Sequence, residues 1–451
     1  MGFTYCRRNS LFMPEQYELG IIGMGPAGIG TAMSLQDSNI IKKTVCFERG
    51  TFYSDTKCSV LLQDRCCASN LCSIISGIGG ASVYSSGKIS DYPAGSGLVY
   101  FFDSEQQLRD LLSRIISLLV EKLSLKKVIV DTKTLENTKE YYLQKNIDFK
   151  YYDVYEFDAE NYRYYIKKTI HDLEGKGLQL FDNSEVIDVI REPKTLLFRI
   201  IVKTPDGIKE FLTRNLVLAT GALDIQDELL GKLVRRVKNT YEIGVRVEAP
   251  SNAFGNTLLA HGDLKLKCGA GRTYCVTVNG NVIAYQTGGV RFLEGCLESS
   301  YSSNNTNLAV LIKSNDAREV NQFIKRYLDE YLGFPIKQRY SDYLKEQISC
   351  GDVNTTLMSA VCGDIHRLLP PEIDFAIMTF IKDVLIDAMG IPEEKVTLIA
   401  PELKIIRNLQ LSNKFELDKN LYIVGSGTGR FRGILQSLCS GIRCGQLLDG
   451  R

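Results

Sequence analysis

Histidine and tryptophan are nearly missing from this chain: 451 residues hold only His171, His261 and His366, and no tryptophan. With so few imidazoles no Ser/His/Asp constellation is visible, and no Gly-x-Ser-x-Gly elbow occurs. Each histidine alone reads as a surface or satisfied core residue before it reads as a catalyst. His366 is the best candidate of the three, because it sits in Gly-Asp-Ile-His-Arg beside Pro370 and Pro371. No apolar run approaches the roughly 20 residues of a membrane-spanning helix, so no membrane partner is expected. Excess charge is missing too: 54 Lys and Arg against 53 Asp and Glu leave a formal net charge of +1. That balance speaks against a nucleic-acid partner, since backbone binding needs clustered cations. Near the start, Cys6 stands where a myristoylation signal needs Ser or Thr. Arg7-Arg8 precedes no long apolar stretch. A cytoplasmic protein is expected.

The 13 cysteines are odd in number and scattered from Cys6 to Cys444, which argues against a secreted disulfide framework. Cys58, Cys66, Cys67 and Cys72 cluster, but their spacing fits neither a Cys-x2-Cys zinc knuckle nor a ferredoxin run. Structural cysteines are the expected reading, with a redox thiol or a metal as the alternatives; no metal site is assigned.

What the chain does have is Tyr17-Glu-Leu-Gly-Ile-Ile-Gly-Met-Gly-Pro-Ala-Gly-Ile-Gly-Thr-Ala32. An apolar run reads as a buried parallel strand and breaks into Gly23-x-Gly25-x-x-Gly28. A helix follows, with Pro26 and Ala27 in its first turn and Ala32 on its inner face. Gly23 permits the turn, Gly25 lets backbone approach a pyrophosphate, and Gly28 lets helix and strand pack closely. The helix start offers unpaired N–H groups to phosphates. A second strand ends in Glu48-Arg49, 20 residues after Gly28, where an acid accepts hydrogen bonds from ribose hydroxyls. Together these predict a dinucleotide site.

Further along, the spacing of Leu108, Leu111, Leu112, Ile115, Ile116, Leu119 and Leu123 predicts a helix over 104–124. Residues 127–165 are polar and rich in Tyr and Lys, as in a solvated excursion. A helix is expected from Tyr162, then strands over 177–181 and 185–192 and an antiparallel pair near 197–202 and 209–212. Asn215-Leu-Val-Leu-Ala-Thr-Gly-Ala-Leu223 reads as a strand returning to the dinucleotide sheet. The character changes over 241–395: strands over 243–248, 272–278, 282–286 and 308–312 surround helical stretches over 317–332 and 373–389. The end, Leu421-Tyr-Ile-Val-Gly-Ser-Gly-Thr-Gly-Arg-Phe-Arg-Gly-Ile434, reads as a strand, a glycine-rich turn and a closing helix.

Several segments in this order resemble the FAD-dependent dehydrogenases often described as NAD(FAD)-utilising dehydrogenases, within the glutathione-reductase-like (GR2-type) two-domain flavoproteins. They are Cys72-Ser-Ile-Ile-Ser-Gly-Ile-Gly-Gly-Ala with Gly87-Lys88, Ile243-Gly-Val-Arg-Val-Glu248, Arg272-Thr-Tyr-Cys275, Ala400-Pro-Glu402 and Gly429-Arg-Phe-Arg-Gly-Ile434. The resemblance implies an α/β fold: a Rossmann-like FAD-binding domain with an inserted α+β substrate domain. The implied boundaries are 15–100, 162–240 and 396–451 for the FAD domain, 101–161 for a helical and polar insertion, and 241–395 for the substrate domain.

It also implies roles. Gly23, Gly25, Pro26, Ala27, Gly28, Glu48 and Arg49 would bind the FAD pyrophosphate and ribose. Gly79, Gly80 and the turn to Lys88 would line the pyrophosphate and ring. Val186 would pair with the adenine, and Ala219, Thr220 and Gly221 would pass the adenosine half. Gly425, Ser426, Gly433 and Ile434 would cover the ribityl chain and aim a helix start at the ring. Lys88, Arg272, Tyr274 and His366 are the candidate catalytic or substrate contacts.

The chain departs from that pattern three times: Ser426 replaces an Asp, Thr277 replaces a second Cys, and Ser86 replaces an Asp before Gly-Lys. The lack of tryptophan removes the Trp-containing signature of flavin halogenases. No second strand–GxGxxG–helix unit is present, so a nicotinamide, if used, binds transiently. The expected activity is hydride transfer between flavin N5 and a small organic substrate, in the dehydrogenase or oxidase direction. A flavin reductase or monooxygenase is the alternative, and an FAD-bound scaffold or RNA-modification partner the non-enzyme alternative.

Overall fold

The computed structural model describes residues 15–53, 71–85, 87–221, 238–255, 263–297, 303–349, 351 and 353–450. Two large sheets organise them. In the first, five strands run parallel in the order Leu421–Ile423, Gly207–Leu218, Gln16–Ile22, Thr44–Phe47 and Gln179–Phe181. Their runs are apolar without alternation, and Leu19, Ile21, Val45, Phe47, Leu216 and Leu218 are buried, as parallel strands covered on both faces require. Strand Gly207–Leu218 serves twice. Its first half pairs antiparallel with Phe198–Thr204, which in turn pairs with Glu185–Arg191.

The glycine-rich turn leads into helix Pro26–Ser34, which lies against the closing helix Ile434–Leu448. The contact is close because of Gly441, where a Cβ would come within 2.0 Å of the Ala27 carbonyl oxygen. The predicted helices appear as Glu105–Leu123, capped by Ser104, and Ala159–Gly175, capped by Asp158.

The second sheet is built on long antiparallel strands, Thr397–Asn408, Lys238–Pro250, Asn305–Ser314 and Gly271–Thr277. Its strands have two different faces. Tyr241, Ile243, Val245, Val247 and Ala249 share a core with Phe323, Ile373, Ile377 and Phe380 of the helices Ala317–Tyr331 and Pro371–Phe380. The alternate residues Glu242, Arg246 and Glu248 face the other way and are also buried, partly under the hairpin Asn281–Thr287 and Val290–Cys296.

Two findings refine the sequence expectation. The polar stretch after residue 127 holds helix Thr132–Gln144 and strand Asp148–Lys150, and that strand pairs with Lys265–Cys268 at the margin of the second sheet. Helix Pro371–Phe380 passes into a π-helical segment, Ile381–Ala388. Among the described residues no helix is long and apolar enough to cross a membrane.

Candidate functional site

The turns that follow the parallel strands converge at their C-terminal ends, the place where open α/β sheets receive ligands. Gly23 adopts φ +95°, and a Cβ there would come within 2.6 Å of the Ala219 carbonyl oxygen. A Cβ on Gly28 would lie 2.0 Å from the Gly23 carbonyl oxygen, so the turn closes only with glycine at both positions. Gly25 differs. It precedes Pro26 at the start of the helix with no side-chain cap, and among the described residues a Cβ there would meet only the Gly80 Cα, at 4.0 Å. Room therefore stands in front of the first-turn N–H groups, and a phosphate suits such a cradle.

Gly79, Gly80 and Gly425 border the same place, and the other predicted residues lie on neighbouring turns and strands. The Gly79 N–H donates to the Met24 carbonyl at 2.8 Å, which lays Gly79 and Gly80 along the first turn. Gly425 packs on Ala27, and its N–H donates to the Ser440 hydroxyl at 2.9 Å. Gly221 has the Ser426 hydroxyl oxygen at 4.0 Å from its Cβ position, while Thr220 is exposed. Val186 lies in strand Glu185–Arg191, close after Ser184, whose N–H donates to the Glu48 carbonyl at 2.8 Å. Arg49 donates from Nε to Ser76 at 2.8 Å. Gly433 caps the closing helix ahead of Ile434, and Gln436 of its first turn donates to the carbonyls of Ser90 and Ala94.

Glu48 is buried, and its carboxylate accepts from the N–H groups of Met24 (2.9 Å), Gly50 (3.1 Å) and Gly77 (2.9 Å). Burial pushes the carboxyl up, and the three donors offset this only in part. Glu48 thus ties the first glycine turn to the segment leading to Gly79, a role the sequence did not reveal.

A second assembly lies on the polar face of the other sheet. The Arg246 guanidinium donates to Glu402 at 2.9 and 3.2 Å and to Asn307 at 2.7 Å, with both charged side chains fully buried. Lys404 pairs with Glu294 at 2.6 Å. Burial would raise the Glu294 carboxyl, but Lys404 and Arg246 prevail and hold it well below the carboxylate range. Arg272 pairs with Glu242 at 2.6 Å. Lys88 reaches across from the first part of the chain, donating to the Val276 carbonyl and pairing with Asp263 at 3.3 Å. Asp263 also binds Lys265 at 2.8 Å and accepts from Tyr152 at 3.1 Å. Burial again opposes this carboxylate, and the two lysines again keep it ionised.

Tyr274 stands among these charges, with Lys265, Arg272 and Lys404 at 5.0, 5.4 and 5.9 Å from its ring centroid. Strand Gly271–Thr277 shifts register between Tyr274 and Thr277, and Cys275 there adopts φ +44°. Burial pushes the Cys275 thiol up. Thr277 is buried, and among the described residues its hydroxyl lacks a partner.

Lys88, Arg272 and Tyr274 therefore meet on one face. His366 does not join them. It sits on the helical side, its ring stacked on Tyr343 at 4.0 Å, with Nδ1 2.5 Å from Asp374 and Nε2 2.7 Å from the Tyr343 carbonyl. Both nitrogens face acceptors, which suits the charged ring. Burial opposes that charge, yet Asp374 and the carbonyl outweigh it and raise the pKa above the ordinary value. The stabilisation this gives is complete below about pH 6.5 and is lost as pH rises through the elevated folded pKa. Urea unfolding between about pH 6 and about pH 9 should show this loss, and His366→Gln should remove that part of the pH dependence.

Of the cysteine cluster, Cys58, Cys66 and Cys67 and, likewise, His261 and Ser86 lie outside the described residues. Cys72 is buried, and its sulfur accepts from the Gln286 N–H at 3.4 Å. Among the described residues no group of His, Cys, Asp and Glu is arranged to hold a metal.

No protein-family model matches the chain, and a search of curated proteins gives no match. Solved structures match over most of the chain's length, at low identity and low overlap. A geranylgeranyl bacteriochlorophyll reductase-like protein from Thermoplasma acidophilum is 11% identical over 97% of this chain and 78% of its own, with a TM-score of 0.40. Glycine oxidase from Geobacillus kaustophilus is 14% identical over 97% and 95%, with a TM-score of 0.38. The flavin-dependent halogenase CmlS is 10% identical over 96% and 58%, with a TM-score of 0.40.

Proposed function

We propose that this chain is an FAD-dependent oxidoreductase of the glutathione-reductase-like type, which oxidises a small organic substrate. The observation that carries this reading is the convergence of four turns, after Ile22, Phe47, Leu218 and Ile423, around the uncapped helix start at Gly25. A dinucleotide suits that donor set: backbone N–H groups for phosphates, an acid at the end of the second strand, and glycine where backbone must come close.

In this reading Gly23, Gly25, Pro26, Ala27, Gly28, Gly79 and Gly80 hold the pyrophosphate. Glu48, Arg49, Val186, Ala219, Thr220 and Gly221 serve the adenosine half. Gly425, Ser426, Gly433 and Ile434 serve the ribityl chain and ring. Bound there, FAD supplies two-electron chemistry, formally hydride transfer at its N5. The protein's share is to orient the substrate and exclude water. Lys88, Arg272 and Tyr274 do so from the polar face of the second sheet, whose residues 241–395 form the substrate domain. Any nicotinamide docks transiently. His366, held on the helical side, takes no part.

The test is the absorbance spectrum of the purified protein, followed by anaerobic photoreduction and return to air. Bands near about 370 and about 450 nm that bleach and return quickly support an oxidase, and slow return supports a dehydrogenase with another acceptor. A protein that stays colourless after added FAD overturns the proposal.

A further inference from the structure

The closing helix Ile434–Leu448 begins with free donors. Gly433 caps it without a side-chain hydrogen bond. Among the described residues the N–H groups of Ile434, Leu435 and Gln436 donate to no group of the chain, and the helix's own bonding starts with the Ser437 N–H, which donates to the Gly433 carbonyl at 3.0 Å. Gly433 is exposed, so the helix start opens outward. Its free N–H groups carry the partial positive charge of the helix end.

Acceptors lie close by and are kept from these donors. The loop after strand Lys88–Ser90 presses on this end of the helix: a Cβ on Gly95 would come within 2.7 Å of the Gln436 Cγ and 3.3 Å of the Arg432 carbonyl oxygen. Two carbonyls of the loop, those of Ser90 and Ala94, accept from the Gln436 Nε2 at 2.8 and 3.0 Å. Both hydrogens of the amide are thereby used, which fixes the way it faces. Its Oε1 turns back over the helix cap, 2.1 Å from where a Cβ on Gly433 would stand. A glutamine at this place in a helix commonly accepts from the cap residue's own N–H. Among the described residues that bond is not made, and the amide of Gln436, which is 1% exposed, serves the loop instead. Carbonyls that lost this donor would turn to another, and the free N–H groups of the first turn stand beside them. Gln436 thus satisfies the loop and leaves the helix start unfilled.

We infer that Gln436 is a positioning residue for the flavin: by holding the Ser90 and Ala94 carbonyls it keeps the N–H groups of Ile434, Leu435 and Gln436 free for the ring. This rests on the reading that Gly433 and Ile434 serve the ring end of FAD. The reduced ring is the more negative one, and free donors at a helix start favour it over the oxidised ring. Gln436 therefore holds the reduction potential up through the backbone groups it leaves free.

The experiment measures the midpoint potential and the FAD dissociation constant of the FAD-loaded protein. Gln436→Met keeps the length of the side chain and has no donor. It should bind oxidised FAD within about threefold of the parent, and reduced FAD at least about tenfold more weakly. For a two-electron couple that tenfold reads as a midpoint lower by about 30 mV. Gln436→Glu keeps the size and, when ionised, only accepts; it should lower the midpoint at least as far, since it also sets negative charge beside the helix start. If Gln436→Met does not fold, Gln436→Glu carries the same expectation. A merely structural glutamine would cost both redox states alike and leave the midpoint where it was.

Folded, flavin-loaded variants with the parent's midpoint, or a higher one, overturn the inference. Failure of the flavin reading looks different. A parent protein that stays colourless with added FAD overturns that reading and this inference with it, while a yellow parent whose variants keep its midpoint overturns this inference alone.

Discussion

Arg246→Met is expected to lower the unfolding free energy by about 3 kcal/mol, because it takes from a buried carboxylate its two short charge-assisted bonds and leaves it only Lys404 at 3.4 Å. Arg246 and Glu402 are both fully buried, and two of the guanidinium's donors go to the two oxygens of that carboxylate. A third meets Asn307, whose side-chain amide in turn donates to the Gly280 carbonyl at 3.3 Å. Removing the guanidinium leaves Glu402 with Lys404 alone, at 3.4 Å, and uncouples Asn307 as well. Glu294 suffers less, since Lys404 remains 2.6 Å away. The pair as a whole contributes much less than the single loss implies, because its mutual attraction mainly offsets the desolvation of both ions. The double variant Arg246→Met/Glu402→Leu should therefore regain most of the stability that the single variant loses. Equilibrium urea unfolding of the parent, both singles and the double closes the cycle. A single variant within about 1 kcal/mol of the parent would sink the argument, since it would mean that Lys404 or water satisfies Glu402 without the guanidinium.

The parts of this molecule that could be read from sequence are those whose signals are local. The parallel strands announce themselves by unbroken apolar runs ending in glycine, as in Leu19 to Gly23 or Leu216 to Gly221. Helix Glu105–Leu123 shows its buried stripe at helical spacing, and a Ser cap with it. The charged face of the second sheet follows different logic. In Ile243-Gly-Val-Arg-Val-Glu248 every second residue is apolar, the pattern of a strand with one wet face. Nothing nearby in sequence says that a hairpin tens of residues later covers that face, so Arg246 and Glu248 read as solvated when they are buried. The partners Glu402 and Lys404 come from still farther away, brought opposite by the pairing of Lys238–Pro250 with Thr397–Asn408. The resemblance segments do contain Arg246 and Glu402, but nothing in the residues between them joins the two. Strand Asp148–Lys150 was illegible for another reason: three residues in a polar stretch carry no periodicity, and only pairing with Lys265–Cys268 makes them a strand. Glu48 shows a third kind of limit. Its position was predictable, but not that backbone N–H groups from three separate turns would occupy its oxygens.

Gly25→Val should give a protein that folds and melts like the parent but loses its flavin by at least about tenfold, which corresponds to roughly 1.4 kcal/mol of binding. The separation of the two effects comes from the geometry at this one glycine. Its backbone, φ −74° and ψ −175°, is extended and open to any residue. Among the described residues a Cβ would touch only the Gly80 Cα at 4.0 Å, an ordinary contact. The two methyl groups of valine would then project into the room before the helix start, where the first-turn N–H groups have no side-chain cap to lose. A phosphate brought to those donors would meet the methyls instead. Gly28→Val is the contrasting variant. Its Cβ would fall 2.0 Å from the Gly23 carbonyl oxygen, so strand and helix must separate, and stability and flavin should be lost together. Thermal unfolding and the absorbance ratio of flavin to protein, measured on both variants, distinguish a cradle from a packing contact. If Gly25→Val keeps a full complement of flavin, the pyrophosphate does not lie at this helix start. The convergence of the four turns would then be only the tight packing of strand ends, and the glycines would answer to each other rather than to a ligand.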